Sequence, residues 1–138
     1  MVERLLLALL IIAMGVVAWR AWNHYSLKRV AAQTPTDPAL ETAARGTPTI
    51  LYFTTPFCVT CRTQQQPALQ QITAAYGSAV QIIQIDAAAD TETADRWGVF
   101  SAPTTFVLDE RMQPRFVNRG VATRDVLADQ LGSLGVAS

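Results

Sequence analysis

The chain opens on an unbroken apolar block and then changes character. Residues 5–19 read LLLALLIIAMGVVAW, a stretch without a charge, and the run continues past Arg20 through Ala21 and Trp22. The block has no polar face, which sets it apart from the amphipathic helix of a soluble domain. It is short of the roughly 20 residues that a spanning helix prefers, but Arg4 and Arg20 can snorkel outward, and Trp19, Trp22 and Tyr25 suit the membrane interface. The pattern predicts a transmembrane anchor over residues 1–25, meeting lipid through residues 5–22. A cleaved signal peptide would carry small residues where Arg20, Trp22, Asn23, His24 and Tyr25 stand. Arg20, Lys28 and Arg29 follow the block while Arg4 and the terminal amine precede it. This bias favours a single-pass topology with a cytoplasmic soluble part over an extracytoplasmic one.

Residues 26–46 read as a linker: from Ala31 the composition turns to Ala, Thr, Pro, Asp and Gln, and Pro35 and Pro38 break a continuous helix. Asp37 before Pro38 has the form of a helix N-cap with proline in the first turn, so a short helix is expected over residues 38–45, ended by Gly46. Residues 47–138 then alternate in period. TILYFT (49–54) is apolar on both faces, as a central strand of a covered sheet is. Residues 62–76 place Leu69, Ile72 and Tyr76 three and four apart, an amphipathic helix interrupted by Pro67. VQIIQI (80–85) is the next strand, and residues 91–97 form a short helix with an acidic first turn. TTFVL (104–108) and RFVN (115–118) make a hairpin across a turn at residues 109–114. Residues 123–134 close the chain as a helix, with Thr123 as N-cap and Val126, Leu127, Leu131 and Leu134 on one side. The order βαβαββα predicts an α/β domain, a four-stranded mixed sheet flanked by helices on both faces.

Roughly 90 residues suffice for one modest core without metal or disulfide staples. Basic and acidic residues balance to a net charge of zero, and the arginines and the single lysine, Lys28, are scattered along the chain. No basic stripe with interleaved aromatics exists, so nucleic acid is not an expected partner. His24 is the only histidine and has no acidic cluster beside it, so no metal site is expected.

Against that background the only two cysteines, Cys58 and Cys61, stand out. A bridge between residues three apart closes too small a loop to hold a fold together, so the pair reads as chemical rather than structural. It follows a strand and opens a helix, where unpaired backbone N–H groups and a partial positive charge favour a thiolate. Cys61 lies one turn on and can face Cys58. Cys58 is thus the expected attacking thiol and Cys61 the resolving thiol, with Arg62 close enough to support the thiolate electrostatically. Half of a zinc site would need two further ligands, which the sequence lacks. Two inert buried thiols are the other reading, and the Thr-Pro-Phe turn before them argues against it.

TILYFTTPFCVTCRTQQQPAL (49–69) resembles the strand, active-site turn and kinked helix of thioredoxins. WGVFSAPTTFVL (97–108) resembles the thioredoxin segment in which a cis-proline faces the active-site cysteines. The resemblance implies that Pro103 is that proline and that the Ala102 backbone pairs with an extended substrate segment. Gly120 falls where the family has a glycine ahead of its last helix, and no strong strand stands before Pro38 to match the family's extra N-terminal strand. The resemblance implies a thioredoxin-like fold and substrate contacts at Phe57, Ala102 and Pro103, with no cofactor. Phe57 stands in place of the family's tryptophan, and Val59 and Thr60 in place of Gly-Pro. Pro67 is one place later than the usual helix proline. Tyr52 replaces a buried aspartate and Ile82 its lysine, charges the family uses in proton transfer; water or Tyr52 would be a weaker substitute.

The function these features predict is a membrane-tethered thiol-disulfide oxidoreductase acting on protein disulfides, with a separate electron donor or acceptor. The alternative is a non-catalytic thioredoxin-like subunit or assembly factor of a larger membrane complex.

Overall fold

The computed structural model describes residues 1–33 and 37–138. The apolar block and the residues after it form one helix, α1 (Val2–Gln33), long and apolar enough to cross a membrane, with a mean hydropathy of 2.2 over its most apolar window. A signal sequence near an N-terminus has the same character. The helix continues through residues 26–33, and its end meets the folded domain, where Val30 is buried. Pro35, expected to break a helix, lies outside the described residues.

The strands are β1 (Thr49–Thr54), β2 (Gln81–Asp86), β3 (Thr104–Leu108) and β4 (Pro114–Arg119), in the sheet order β2-β1-β3-β4. β1 runs parallel to β2 and antiparallel to β3, and β3 runs antiparallel to β4. The crossover between the parallel pair is α2 (Gln66–Tyr76), while α3 (Thr91–Arg96) follows β2 and α4 (Arg124–Ser133) closes the chain. Among the described residues no strand precedes β1. The fold is thus the expected four-stranded mixed sheet with helices on both faces.

Every residue of β1 is buried, and its period-two alternation divides the core. Ile50 and Tyr52 belong to a cluster with Cys61, Leu69, Ile72, Leu127 and Leu131, under α2 and α4. Leu51 and Phe53 belong to the opposite cluster, with Val30, Ala94, Trp97 and Phe106, under α3 and the end of α1. The rings of Phe53, Trp97 and Phe106 pack with centroids 5.0 to 6.4 Å apart. Such pairs add about 0.5–1.5 kcal/mol each beyond the area they bury.

Two local expectations need correction. The helix expected over residues 38–45 is only a 3-10 turn, Pro38–Leu40, capped by Asp37. A tertiary contact ends it: the Gln81 side-chain amide binds both the N–H and the C=O of Ala44, taking the groups a longer helix would use. Pro67 does not interrupt its helix either. The turn before it, Cys61–Gln65, is wound as a π-helix, and the Gln66 N–H donates to the Cys61 carbonyl five residues back. The wider winding accommodates a proline that has no N–H to give.

Asp37 also does something the sequence did not announce. Its buried carboxylate accepts from the Trp97 indole Nε1–H at 3.0 Å and from Arg96 Nε at 3.2 Å, as well as from the Ala39 N–H at 2.9 Å. It therefore pins the segment before β1 to the floor of the second cluster. Asp37→Ala would leave the buried indole N–H without a partner, at a cost of about 1–3 kcal/mol. Thermal unfolding of the full chain in detergent should show a lower Tm for this variant, and an unchanged Tm would contradict the role.

Candidate active site

β1 ends at Thr54, and a tight turn through Thr55, Pro56 and Phe57 leads straight into the helix that holds the cysteines. The turn is closed by the Cys58 N–H donating to the Thr55 carbonyl at 3.2 Å. Helical winding begins at Val59, so Cys58 stands at the N-cap position and Cys61 in the first turn. The two are disulfide-bonded, with their Cα atoms 5.2 Å apart.

Their surroundings differ. Cys58 is half-buried at the molecular surface, and its Sγ accepts the backbone N–H of Cys61 at 3.1 Å, with the Thr60 hydroxyl at 3.5 Å. Negative charge on this sulfur would therefore meet a preformed donor and the positive end of a helix. Cys61 has no exposed surface and belongs to the cluster under α2. One sulfur is placed to meet another molecule and the other is not.

The remaining predicted site residues take distinct places. Phe57 is 90 % exposed beside Cys58, and Val59 is exposed on its other side. The Ala102–Pro103 peptide bond is cis. Pro103 is buried and its carbonyl accepts from the Gly120 N–H at 2.9 Å, while Ala102 packs with Cys58 against the cluster that contains Cys61. Gly120 has φ +98°, a conformation that side-chain-bearing residues rarely adopt. The Ala102 backbone makes no hydrogen bond among the described residues. Arg62 is exposed one residue beyond Cys61, with no ion pair or hydrogen bond to either sulfur. Among the described residues no group of three or more His, Cys, Asp or Glu side chains could hold a metal ion.

Two residues of this region, Phe100 and Gln65, were missed by sequence reasoning. Phe100 is 88 % exposed and lies with Thr55, Ala88 and Ala102 along a shallow groove of about 360 Å³. Gln65 is fully buried in the π-wound turn, and its amide exchanges two hydrogen bonds with the Ala122 backbone, at 2.8 and 3.1 Å. It ties the cysteine-bearing helix to the loop before α4. The Tyr52 hydroxyl is buried without a hydrogen-bond partner. A glutamine inside a helix that also carries four others gives no sequence signal, because burial of one among Gln64, Gln65, Gln66, Gln70 and Gln71 depends on the local winding. A further cavity, about 440 Å³, lies away from the dithiol between Trp22 and Val30 of α1 and Trp97 of the domain.

A family model described as TraF, F plasmid transfer operon protein, matches residues 24–131. The chain belongs to the TraF family of thioredoxin-like proteins. Solved structures agree on the fold. A thioredoxin-like protein from Clostridium perfringens is 27% identical, with 70% of this chain and 78% of that chain covered at a TM-score of 0.60. Chloroplastic thioredoxin z is 17% identical, with 70% and 85% covered at a TM-score of 0.60. Thioredoxin-2, described as a component of the malaria parasite's protein secretion machinery, is 20% identical, with 63% and 82% covered at a TM-score of 0.59. No curated protein sequence matches the chain. The thioredoxin-like fold together with the bonded CxxC pair supports a general redox role for this TraF-family protein.

The unequal exposure of the two sulfurs has a direct chemical readout. After reduction of the full chain, a brief pulse of iodoacetamide should modify Cys58 well ahead of Cys61, read by peptide mass spectrometry. Equal labelling of both would contradict the asymmetry of the site.

Proposed function

We propose that the protein is a membrane-tethered thiol-disulfide oxidoreductase that exchanges disulfides with protein partners through Cys58 and Cys61. The observation that carries this reading is the division of labour at the helix start: a half-buried outer sulfur with an N–H donor aimed at it, and a fully buried inner sulfur bonded to it. In the reducing direction, the Cys58 thiolate attacks one sulfur of a substrate disulfide. The substrate S–S bond breaks, a mixed disulfide forms on Cys58, and the leaving thiolate takes up a proton. The Cys61 thiolate then attacks the Cys58 sulfur, which releases the second substrate thiol and regenerates the Cys58–Cys61 disulfide. A protein dithiol must return two electrons to the pair, and the same steps in reverse oxidise a substrate dithiol.

Phe57, Ala102 and Pro103 are the substrate contacts in this reading. The exposure of Phe57 and the unpaired backbone of Ala102 support it, because an extended segment seeks free main-chain donors and acceptors beside an apolar surface. Arg62 adds positive charge near the helix start. The tether is α1, whose helix passes without a break through Trp19, Arg20 and Trp22, where a cleavage site would need small residues. Intact mass of the membrane fraction should show the N-terminal residues retained after carbonate washing.

Membership of a family described by a plasmid transfer operon favours a second reading, a thioredoxin-like subunit or assembly factor of a larger membrane complex in which the dithiol is incidental. One experiment separates the two. In cells, Cys61→Ser should accumulate mixed disulfides with partner proteins, and Cys58→Ser/Cys61→Ser should give none. Absence of any Cys58-dependent adduct, with stoichiometric recovery of the double variant in a complex and no loss of function, would favour the subunit.

A further inference from the structure

The Tyr52 hydroxyl is the one buried side-chain N or O atom without a hydrogen-bond partner among the described residues. An orphan of this kind costs about 1–3 kcal/mol, and a buried phenol that contributed only its ring would be better replaced by phenylalanine. Tyr52 has no exposed surface and stands on the face of β1 that α2 covers. Its cluster contains Ile50, Leu69, Ile72, Val107, Leu127 and Leu131, all aliphatic, together with Cys61. Within that cluster the Cys61 sulfur is an acceptor available to the phenol; the nearest buried hydroxyls on the sheet are Thr105, opposite Tyr52 on β3 and already accepting from Asn118, and Thr54. Thr54, two residues along the same strand face, lies close enough to draw the phenol's pKa down, but it forms no hydrogen bond of acceptable geometry with it. Burial outweighs Thr54 and raises the pKa above 10.0, so the hydroxyl keeps its proton at neutral pH and is a donor.

In the bonded pair, Cys61 offers a neutral disulfide sulfur, a poor acceptor. Reduction changes that. When a dithiol co-reactant gives two electrons and the Cys58–Cys61 bond breaks, the co-reactant closes its own disulfide and Cys61 becomes a thiol or thiolate inside a dry cluster, where a charged sulfur needs a donor. We propose that the Tyr52 hydroxyl donates to Cys61 Sγ in the reduced protein only, so that Tyr52 selectively stabilises the dithiol and makes the pair a stronger oxidant. The inference rests on the oxidoreductase reading and deepens it: the orphan of the oxidised state is the hydrogen bond of the reduced one. Stabilising a reduced form raises the potential of a dithiol couple.

The test is Tyr52→Phe in the full chain, equilibrated in detergent with graded ratios of reduced and oxidised dithiothreitol. The variant should shift the equilibrium toward the disulfide by about tenfold, equivalent to a potential about 30 mV more negative. Thermal unfolding supplies the second readout. Losing the orphan should raise the Tm of the oxidised variant, whereas the reduced variant should lose its hydrogen bond and show no such rise. An unchanged redox equilibrium, with equal Tm shifts in both states, would mean a purely structural tyrosine and would overturn the inference while leaving the oxidoreductase reading intact. A wild-type pair that fails to exchange with dithiothreitol would overturn that reading and the inference with it.

Discussion

β1 is buried on both faces, and the position of everything at the site follows from that constraint. A six-residue strand with no solvent face has its register fixed from two sides, by Ile50 and Tyr52 against α2 and α4 and by Leu51 and Phe53 against α3 and Trp97. Its C-terminal end is therefore a rigid point, and the turn of Thr55, Pro56 and Phe57 leaves from it directly into the helix start. Cys58 and Cys61 inherit their places from this strand: one at the rim of the sheet with an N–H aimed at its sulfur, the other turned down onto the core. The parallel partner β2 and the antiparallel partner β3 close β1 from both edges, and β3 begins immediately after the cis peptide at Pro103. The same strand thus leads into the dithiol and pairs with the strand that follows the cis-proline.

Much of this was legible in the sequence because it depends on period and composition. TILYFT, apolar at every position, matches β1 residue for residue, and TTFVL matches β3. Thr123 caps α4 through its hydroxyl to the Val126 N–H, as a threonine before an apolar-periodic run should. The CxxC spacing and the Ala-Pro-Thr segment pointed to the thioredoxin-like fold that the family match and the solved structures share. What escaped was tertiary. The Gln81 side chain truncates the helix after Pro38 from a strand 37 residues away, and the π-winding that carries Pro67 and buries Gln65 has no local signature. Asp37 was legible as a cap, but its grip on Trp97 and Arg96 spans about sixty residues of sequence.

Tyr52 brings the structural and chemical arguments together. The face of β1 that α2 covers puts Tyr52 in the same buried cluster as the inner sulfur, a protonated phenol with no hydrogen-bond partner in the oxidised state. Its neighbours on the sheet at this level are Gln84 across the parallel ladder and Thr105 across the antiparallel one, both uncharged, and Ile82 adds no charge to the cluster. Among the described residues no buried charged side chain belongs to the cluster of the inner sulfur, which is why the proposed balance between dithiol and disulfide turns on neutral hydrogen bonding.

The central claim is that Cys58 and Cys61 form a reversible two-electron couple and are not a static crosslink. The most direct test is the fraction of oxidised wild-type protein, quantified by thiol alkylation and intact mass, across a calibrated series of dithiol and disulfide buffers. The account predicts a single reversible transition with a slope of about 30 mV per decade, approached equally from the oxidised and reduced sides. A bond that resists reduction throughout the series, or thiols that do not re-form it, would contradict the account.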